Sequence, residues 1–226
     1  MKRLFEFLVS THTLLLNPCE GIRETPRGFR VPQPVLTQEE MKKLLLSPNL
    51  SLRVGIRDRA ILELLYATGI RVGEMERLTI HDVDLLSGVI HVRRGKGGRA
   101  RVLPLGKVAS RWLKEYLEKI RPFYNRHYPQ ERALFLTQTG RALRQDILRP
   151  LVRGYAKKAG IKKKVSPHTL RHTCATHLLH EGADIVSLQR LLGHRHIDST
   201  VLYTRVMPVE VKKTHQETHP REKGMR

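Results

Sequence analysis

The chain has 226 residues, and its 42 lysines and arginines against 21 aspartates and glutamates give a formal net charge of +21 at pH 7. This excess of positive charge favours a polyanionic partner, with nucleic acid first and a membrane surface second. Two cysteines exclude a disulfide framework and indicate a cytoplasmic protein. The absence of a long apolar run argues against a membrane span, and charged or polar interruptions argue against a signal peptide.

The N-terminal part of the sequence predicts one helix followed by a linker. Residues 4–16 have an amphipathic pattern that Asn17 and Pro18 interrupt. The stretch 26–35 is rich in proline, arginine and glycine, which is typical of a linker. We therefore expect the main domain to begin at residue 36.

The sequence predicts helices at the start of the main domain. Thr37 and Glu40 have the spacing of a capping box, which predicts a helix start. Residues 55–69 are helix-periodic, and Gly69 provides a stop signal. A second, short helix is predicted from about Val72.

The hydrophobic period then changes from that of a helix to that of a strand. Residues 89–105 alternate apolar and polar positions around a glycine-rich turn, which predicts a β-hairpin with Lys96 at its tip. A strand around residues 81–85 would complete a small three-stranded antiparallel sheet. Further helices are predicted at 108–121, 146–160, 166–182, 184–193 and 199–206. The fold class is therefore α+β, mainly α-helical.

The helix at 166–182 contains "HTLRHTCATHLLH", which raises the question of a metal site. Ser166 is a suitable N-cap, and His168 and Arg171 share a face in the first turn, where free N–H groups and the helix dipole favour an anion. The apolar stripe of this helix consists of Leu170, Cys174, His177 and Leu178. The histidines do not converge, so no metal site is predicted, and we expect His177 to pack inside. A helix with ordinary, hydrogen-bonded histidines remains the alternative.

Several motifs in a fixed order resemble a known family. They read "ATGIRVGE", "RGKGGRARVLPL", "SPHTLRHTCATHLL", "LLGH" and "LYTR". Their order and spacing from about residue 36 onward resemble the catalytic domain of the tyrosine recombinases, the phage integrase family, and most closely its Xer-type branch. The resemblance implies the tyrosine-recombinase catalytic fold and six residues around a scissile phosphate: Arg71, Lys96, His168, Arg171, His194 and Tyr203.

The chemistry of these side chains agrees with the roles that the resemblance implies. Arginines hold phosphate oxygens with paired donors and keep their charge. A phenol has a pKa near 10, so the nucleophile Tyr203 needs a base, for which His168 is the candidate. Lys96 would protonate the leaving 5′ oxygen, and His194 would donate a hydrogen bond to the phosphate. The scheme yields a 3′-phosphotyrosyl enzyme and uses no metal, ATP or other cofactor.

Each of these residues also has an ordinary structural interpretation when it is taken alone. Arg71 is compatible with a solvated charge, Lys96 with a plain hairpin turn, His194 with a helix cap and Tyr203 with a core aromatic. Only their combination favours catalysis.

The expected partner is double-stranded DNA. In the family, the helix that corresponds to residues 143–158 lies in the major groove, although a solvated helix face explains its charges equally well. The candidate DNA-binding residues are Arg94, Arg99, Arg144, Gln145, Arg149 and Lys164.

The resemblance also implies a domain organisation. Residues 1–25 resemble the last helix of an N-terminal clamp domain, 26–35 the linker, 36–207 the catalytic domain and 208–226 a tail that docks on a neighbouring subunit. A disordered basic tail is the open alternative for the last segment. We expect a monomer in solution and a tetramer on DNA. Without a clamp, DNA is held from one side, so we expect weaker binding and cleavage without efficient strand exchange.

Two rival functions use the same residues or the same surface. A topoisomerase IB-like enzyme relaxes DNA with similar groups, but the Xer-like tail and "LLGH" argue against it. A non-catalytic DNA-binding relative is disfavoured because all six residues of the set are present.

Overall fold

The computed structural model describes residues 2–18, 34–93, 100–193 and 219–220. The chain divides into two units, Met1–Gln33 and Pro34–Arg226. The first unit contains helix α1 (Lys2–Ser10). The prediction of a helix to residue 16 is wrong, because His12 adopts a positive φ of 56° and the amides of His12 and Thr13 bond back to Val9 and Leu8. This Schellman arrangement closes the helix early.

The second unit begins with three helices. They are α2 (Gln38–Leu46), α3 (Arg53–Thr68) and α4 (Val72–Glu76). The capping box of α2 is confirmed: Thr37 Oγ1 accepts from the amide of Glu40 at 3.1 Å, and Glu40 Oε2 accepts from the amide of Thr37 at 2.8 Å. The predicted stop of α3 at Gly69 is confirmed as well, since this residue has a left-handed φ of 58°.

A three-stranded antiparallel sheet follows, as predicted. Its strands are β1 (Val83–Asp84), β2 (Val89–Val92) and β3 (Arg101–Pro104), in the order β1-β2-β3. The β2–β3 ladder runs from the pair Val89 and Pro104 to the pair Val92 and Arg101. Residues 94–99, with the predicted hairpin tip at Lys96, lie outside the described residues.

The remaining described elements are helical. They are α5 (Gly106–Glu115), a π-helical turn (Tyr116–Ile120), α6 (Arg121–Asn125), α7 (Gln145–Lys158), α8 (Pro167–His180) and α9 (Ile185–Leu192). The predicted helix at 108–121 therefore extends from 106 to 125 through a wider turn. Ser166 caps α8 by accepting from the amide of Thr169, and Asp184 caps α9 through Ser187. The helix predicted at 199–206 lies outside the described residues.

Helix α3 is buried along most of its length and packs against α5 and α8. The predicted inward position of His177 is confirmed: its Nδ1 lies 2.9 Å from the hydroxyl of Tyr66 and its Nε2 lies 2.9 Å from the carbonyl oxygen of Leu36. Burial lowers the pKa of His177 and favours the neutral ring. Cys174 is fully buried on the same stripe, and burial raises its pKa to about 12. Among the helices in the described ranges, none combines the length and apolarity that a bilayer crossing demands.

Candidate active site

Three helix ends meet on one side of the second unit. The C-terminus of α3 lies at Gly69, the N-terminus of α4 follows Arg71, and α9 ends at Gly193. Gly69 and Gly193 have φ values of 58° and 64°, which glycine adopts without strain. A Cβ on Gly69 would lie 2.9 Å from Leu192 Cδ2, so glycine also permits the direct packing of α3 against the end of α9.

Arg171 joins two of these helix ends. From α8 it donates Nη1 to the carbonyl oxygen of Gly69 and Nη2 to that of Leu192, both at 2.6 Å. The C-terminal carbonyl groups of a helix carry partial negative charge, which suits a guanidinium group. Burial lowers the pKa of Arg171, and the positive charges of Arg71 and Arg101 lower it further, to about 10. The side chain thus stays charged at neutral pH while it is nearly buried, with 5% exposure.

Arg71 reaches the same helix end from the start of α4. Its Nη2 donates to the carbonyl oxygen of Gly193 at 2.8 Å, and its Nη1 lies 3.1 Å from Glu74 Oε1. Because Leu192 and Gly193 are consecutive, the guanidinium groups of Arg171 and Arg71 lie side by side. The side chain of Arg71 is 41% exposed, so this arginine faces solvent whereas Arg171 lies beneath the surface.

Two residues that the sequence did not single out complete the cluster. Arg101 donates Nη1 and Nη2 to the two carboxylate oxygens of Glu74, at 2.9 and 2.8 Å, and its Nε donates to the carbonyl oxygen of Leu191 at 2.9 Å. Glu74 also accepts from the backbone amide of Arg71 at 3.1 Å. The only sequence signals were a glutamate at capping-box spacing after Arg71 and an arginine inside an apolar strand.

The cluster keeps an excess of positive charge. Burial alone would raise the pKa of Glu74, but the hydrogen bonds and charge of Arg101, with those of Arg71, lower it to about 2. Its carboxylate is therefore ionised, and in the described cluster it opposes three guanidinium groups. Such a set of donors attracts an anion. The described residues hold no group of three or more His, Cys, Asp or Glu that could bind a metal ion.

The structure treats the remaining predicted catalytic residues differently. His168 lies in the first turn of α8 and is exposed, three residues before the buried Arg171. Within 34–93 and 100–193, no hydrogen bond or ion pair engages it. Lys96, His194 and Tyr203 lie outside the described residues. In the sequence, His194 directly follows the Gly193 that Arg71 contacts.

Helix α7 presents the predicted DNA-binding residues to solvent. It buries Leu148, Val152 and Ala156 at a spacing of four, and the opposite face is exposed. Exposed residues include Arg144, Gln145 and Arg149 from the predicted set, and Arg153 and Lys157, which the sequence reading missed although they continue the same four-residue spacing. Arg149 donates to Gln145 Oε1 at 3.2 Å. Lys164 is exposed in the loop before α8, and Arg94 and Arg99 lie outside the described residues.

Several known proteins are similar to this chain in sequence and fold. Residues 34–209 match the model of the phage integrase family. The tyrosine recombinase XerD of Listeria innocua is 40% identical over 221 residues, which are 98% of this chain and 74% of that protein. The crystal structure of the XerA recombinase is similar with a TM-score of 0.64 and 30% identity, covering 96% of this chain and 69% of that one.

A second structural relative was solved with DNA. The XerH site-specific recombinase bound to difH substrate, in a pre-cleavage complex, has a TM-score of 0.62 and 29% identity, covering 87% of this chain and 59% of that one. The family match spans well over half of the sequence, and the small antiparallel sheet within a helical fold agrees with it. The chain therefore belongs to the phage integrase family and carries the catalytic domain of a tyrosine recombinase, an enzyme that breaks and rejoins DNA at specific sites.

Proposed function

We propose that this chain cleaves one DNA strand through Tyr203 and holds the cut 3′ end as a phosphotyrosyl ester. One observation carries the proposal: Arg71 and Arg171, far apart in the sequence, donate to the consecutive carbonyl groups of Gly193 and Leu192. Two guanidinium groups are thereby held side by side at Leu192 and Gly193, and Gly193 directly precedes His194 in the sequence. This arrangement suits a phosphodiester, whose two non-bridging oxygens need two sets of donors.

The arginine pair supports the chemistry in a specific way. In-line attack builds negative charge on the non-bridging oxygens, and donors that are already in place stabilise this charge without reorganisation. The hydrogen bonds described for Arg171 use two of its five N–H donors. Loss of one preorganised donor in comparable sites costs about 10²–10³ in rate.

The proposed reaction exchanges one phosphodiester for another. The Tyr203 hydroxyl oxygen attacks the phosphorus while His168 accepts the phenolic proton. The bond from phosphorus to the 5′ oxygen breaks, and Lys96 protonates that oxygen, so a free 5′ hydroxyl is released. His194 donates a hydrogen bond to a phosphate oxygen. Attack by a 5′ hydroxyl from a second strand reverses the step and releases Tyr203. Each phosphodiester bond that breaks is replaced by another, so the scheme needs no ATP, and it uses no metal ion.

The exposed face of α7 supports DNA as the partner. Arg149, Arg153 and Lys157 are exposed and spaced by about one helical turn, on a surface that flanks the buried stripe. Each such residue can contact a phosphate and so contribute to salt-dependent affinity. The relative XerH was solved bound to difH DNA, which supports a comparable docking here. We propose Arg144, Gln145 and Lys164 as further contacts.

We also propose how the copies assemble. Recombination between two duplexes exchanges four strands, and each site cleaves one strand, so four copies are needed on DNA from a chain that is monomeric in solution. Residues 36–207 would form the catalytic domain, 1–25 the last helix of a clamp, 26–35 the linker and 208–226 the tail that docks on a neighbour. The DNA substrate implies a cytoplasmic location.

A nicked suicide substrate tests the proposal. The wild-type chain, incubated with a pool of short nicked duplexes of randomised sequence, should form a covalent adduct that resists denaturing electrophoresis. Tyr203→Phe should form none. Tyr128→Phe is the matched control, because it removes a hydroxyl whose partner is the exposed Arg141, and it should form the adduct at the wild-type level.

Other outcomes identify the rival functions. Relaxation of supercoiled plasmid by the wild-type chain without exchange between two duplexes would indicate a topoisomerase-like enzyme. DNA binding with neither adduct nor relaxation would indicate a non-catalytic relative, and the proposal would be wrong.

A further inference from the structure

We propose that Arg101 is a positioning residue of the cleavage site, which ties the base of the β2–β3 hairpin to Glu74 and to the last turn of α9. The inference rests on the proposed function, since it assigns Arg101 the task of holding Arg71 and the end of α9 in place. Arg101 itself is nearly buried, with 10% side-chain exposure, so it acts through its neighbours.

The first step of the argument concerns Glu74. Both carboxylate oxygens of Glu74 are held by Arg101 in a bidentate pair, and the same oxygens accept from the side chain and the backbone amide of Arg71. A bidentate pair fixes the plane of the carboxylate. The carboxylate in turn fixes Arg71, the residue that caps the start of α4, through its backbone amide and one edge of its guanidinium group. Without Arg101, Glu74 loses the partner that orients it.

The second step concerns the end of α9. Three consecutive carbonyl groups there, those of Leu191, Leu192 and Gly193, accept from Arg101, Arg171 and Arg71 respectively. A Cβ on Gly193 would lie 3.3 Å from the guanidinium group of Arg101, which shows how closely the two pack. Loss of one of these three hydrogen bonds therefore loosens the helix end that the other two arginines also contact.

The third step concerns the hairpin. Arg101 pairs with Val92 in the last described rung of the β2–β3 ladder before the loop that contains Lys96 in the sequence. A single side chain at the base of this loop thus contacts both α4, through Glu74, and α9, through Leu191. In the sequence, the proposed Lys96 lies between β2 and β3, Arg71 directly precedes α4, and His194 follows the Gly193 that ends α9.

The conservative variant Arg101→Lys tests the inference, because lysine keeps the charge but cannot reproduce a planar, bidentate fork. We expect the rate of adduct formation at saturating DNA to fall at least about tenfold, since small displacements of catalytic groups have effects of this size. The dissociation constant for DNA should change less than about threefold, because Arg101 is shielded from solvent. Glu74→Gln should slow cleavage similarly, and the double variant should be no slower than about the slower single variant, since both changes break one link.

Arg59→Lys is the matched control. Arg59 is also buried, pairs with a carboxylate, Glu63, and donates to a helix-end carbonyl, that of Leu45, but it lies outside the cluster. We expect Arg59→Lys to lower stability while the folded enzyme cleaves at the wild-type rate. Equal loss of cleavage in both variants, in proportion to lost stability, would show that Arg101 is merely structural.

Hydrogen exchange supplies a readout that does not depend on cleavage. Arg101→Lys should speed amide exchange in the last turn of α9 and in α4 by about tenfold, and Arg59→Lys should not. If the wild-type chain forms no Tyr203-dependent adduct, the proposed function fails, and exchange still decides whether Arg101 holds these elements. Wild-type exchange and cleavage in Arg101→Lys, or a loss confined to DNA affinity, would overturn the inference.

Discussion

Replacement of Glu74 by glutamine should remove a specific part of the pH dependence of stability. The pKa of Glu74 lies at about 2 in the folded chain against an ordinary value of 4.5, because the hydrogen bonds and charges of Arg101 and Arg71 outweigh the effect of burial. A depressed pKa in the folded state stabilises the protein above the unfolded pKa, and this stabilisation is lost as the pH falls towards the folded pKa. The relevant window is therefore between about pH 5 and pH 2.

The magnitude follows from the same shift. About 2.5 pKa units correspond to about 3 kcal/mol of unfolding free energy at pH 7, of which about 2 kcal/mol should be lost by pH 3. The side chain of Glu74 is 11% exposed, so solvent screens this contribution little. Glutamine does not titrate, so Glu74→Gln should be less stable than wild type at pH 7, and the difference should shrink as the pH falls.

Urea denaturation followed by circular dichroism, at pH values from 7 to 3, measures the effect. Glu118→Gln is the control, since Glu118 is 58% exposed and its nearest cation, Lys114, lies 3.8 Å away. Exposed pairs of this kind contribute at most about 1 kcal/mol. A difference between wild type and Glu74→Gln that stays constant from pH 7 to pH 3, or an equal pH dependence in Glu118→Gln, would refute the reasoning.

Two further predictions concern packing and DNA binding. Gly69→Ala places a Cβ 2.9 Å from Leu192 Cδ2 at a φ of 58°, so urea denaturation should show that the free energy of unfolding falls by about 1–3 kcal/mol. The control is Gly154→Ala, on an exposed helix face with nothing within 4 Å, which should raise the free energy of unfolding by about 0.5–1 kcal/mol. A lower free energy of unfolding in both variants would contradict this account. Arg149→Gln should weaken DNA binding and reduce the slope of log affinity against log salt concentration by about 0.9, whereas Lys114→Gln on α5 should change neither. Affinity is measured from low to high salt, and an unchanged slope for Arg149→Gln would show that Arg149 does not contact DNA.

Local signals in the sequence were sufficient for most of the fold. The capping box of Thr37, the N-cap at Ser166 and the stop at Gly69 all rest on contacts within a few residues, and the structure confirms them. The pairing of β2 with β3 follows from the alternating pattern and the glycine-rich stretch between them. The predicted α1 was too long because the periodicity continues past Ser10. The early stop comes from backbone bonds around His12, and a positive φ is uncommon for any residue other than glycine.

The contacts within the candidate site were less accessible from the sequence. Family resemblance pointed to Arg71 and Arg171 but not to their acceptors, because the carbonyl groups of Gly193 and Leu192 are generic in the sequence. Arg101 read as one more positive charge of a basic hairpin, and only the fold brings it to Glu74. The π-helical turn at Tyr116–Ile120 was missed for a related reason: hydrophobic spacing does not distinguish a wide turn from a regular one.

The way in which the arginines are held has a consequence for how the site responds to its ligand. Arg71 and Arg171 contact the end of α9, and only Arg71 is substantially exposed. A phosphate that accepts hydrogen bonds from Arg71 would therefore either displace the hydrogen bond from Arg71 to the carbonyl oxygen of Gly193 or bind beside it. Because any ligand that binds the folded state alone stabilises it, anion binding and the stability of the α9 end are linked. Under the proposed function, phosphate binding at Arg71 would thus be linked, through one backbone carbonyl group, to the position of Gly193, which directly precedes His194 in the sequence.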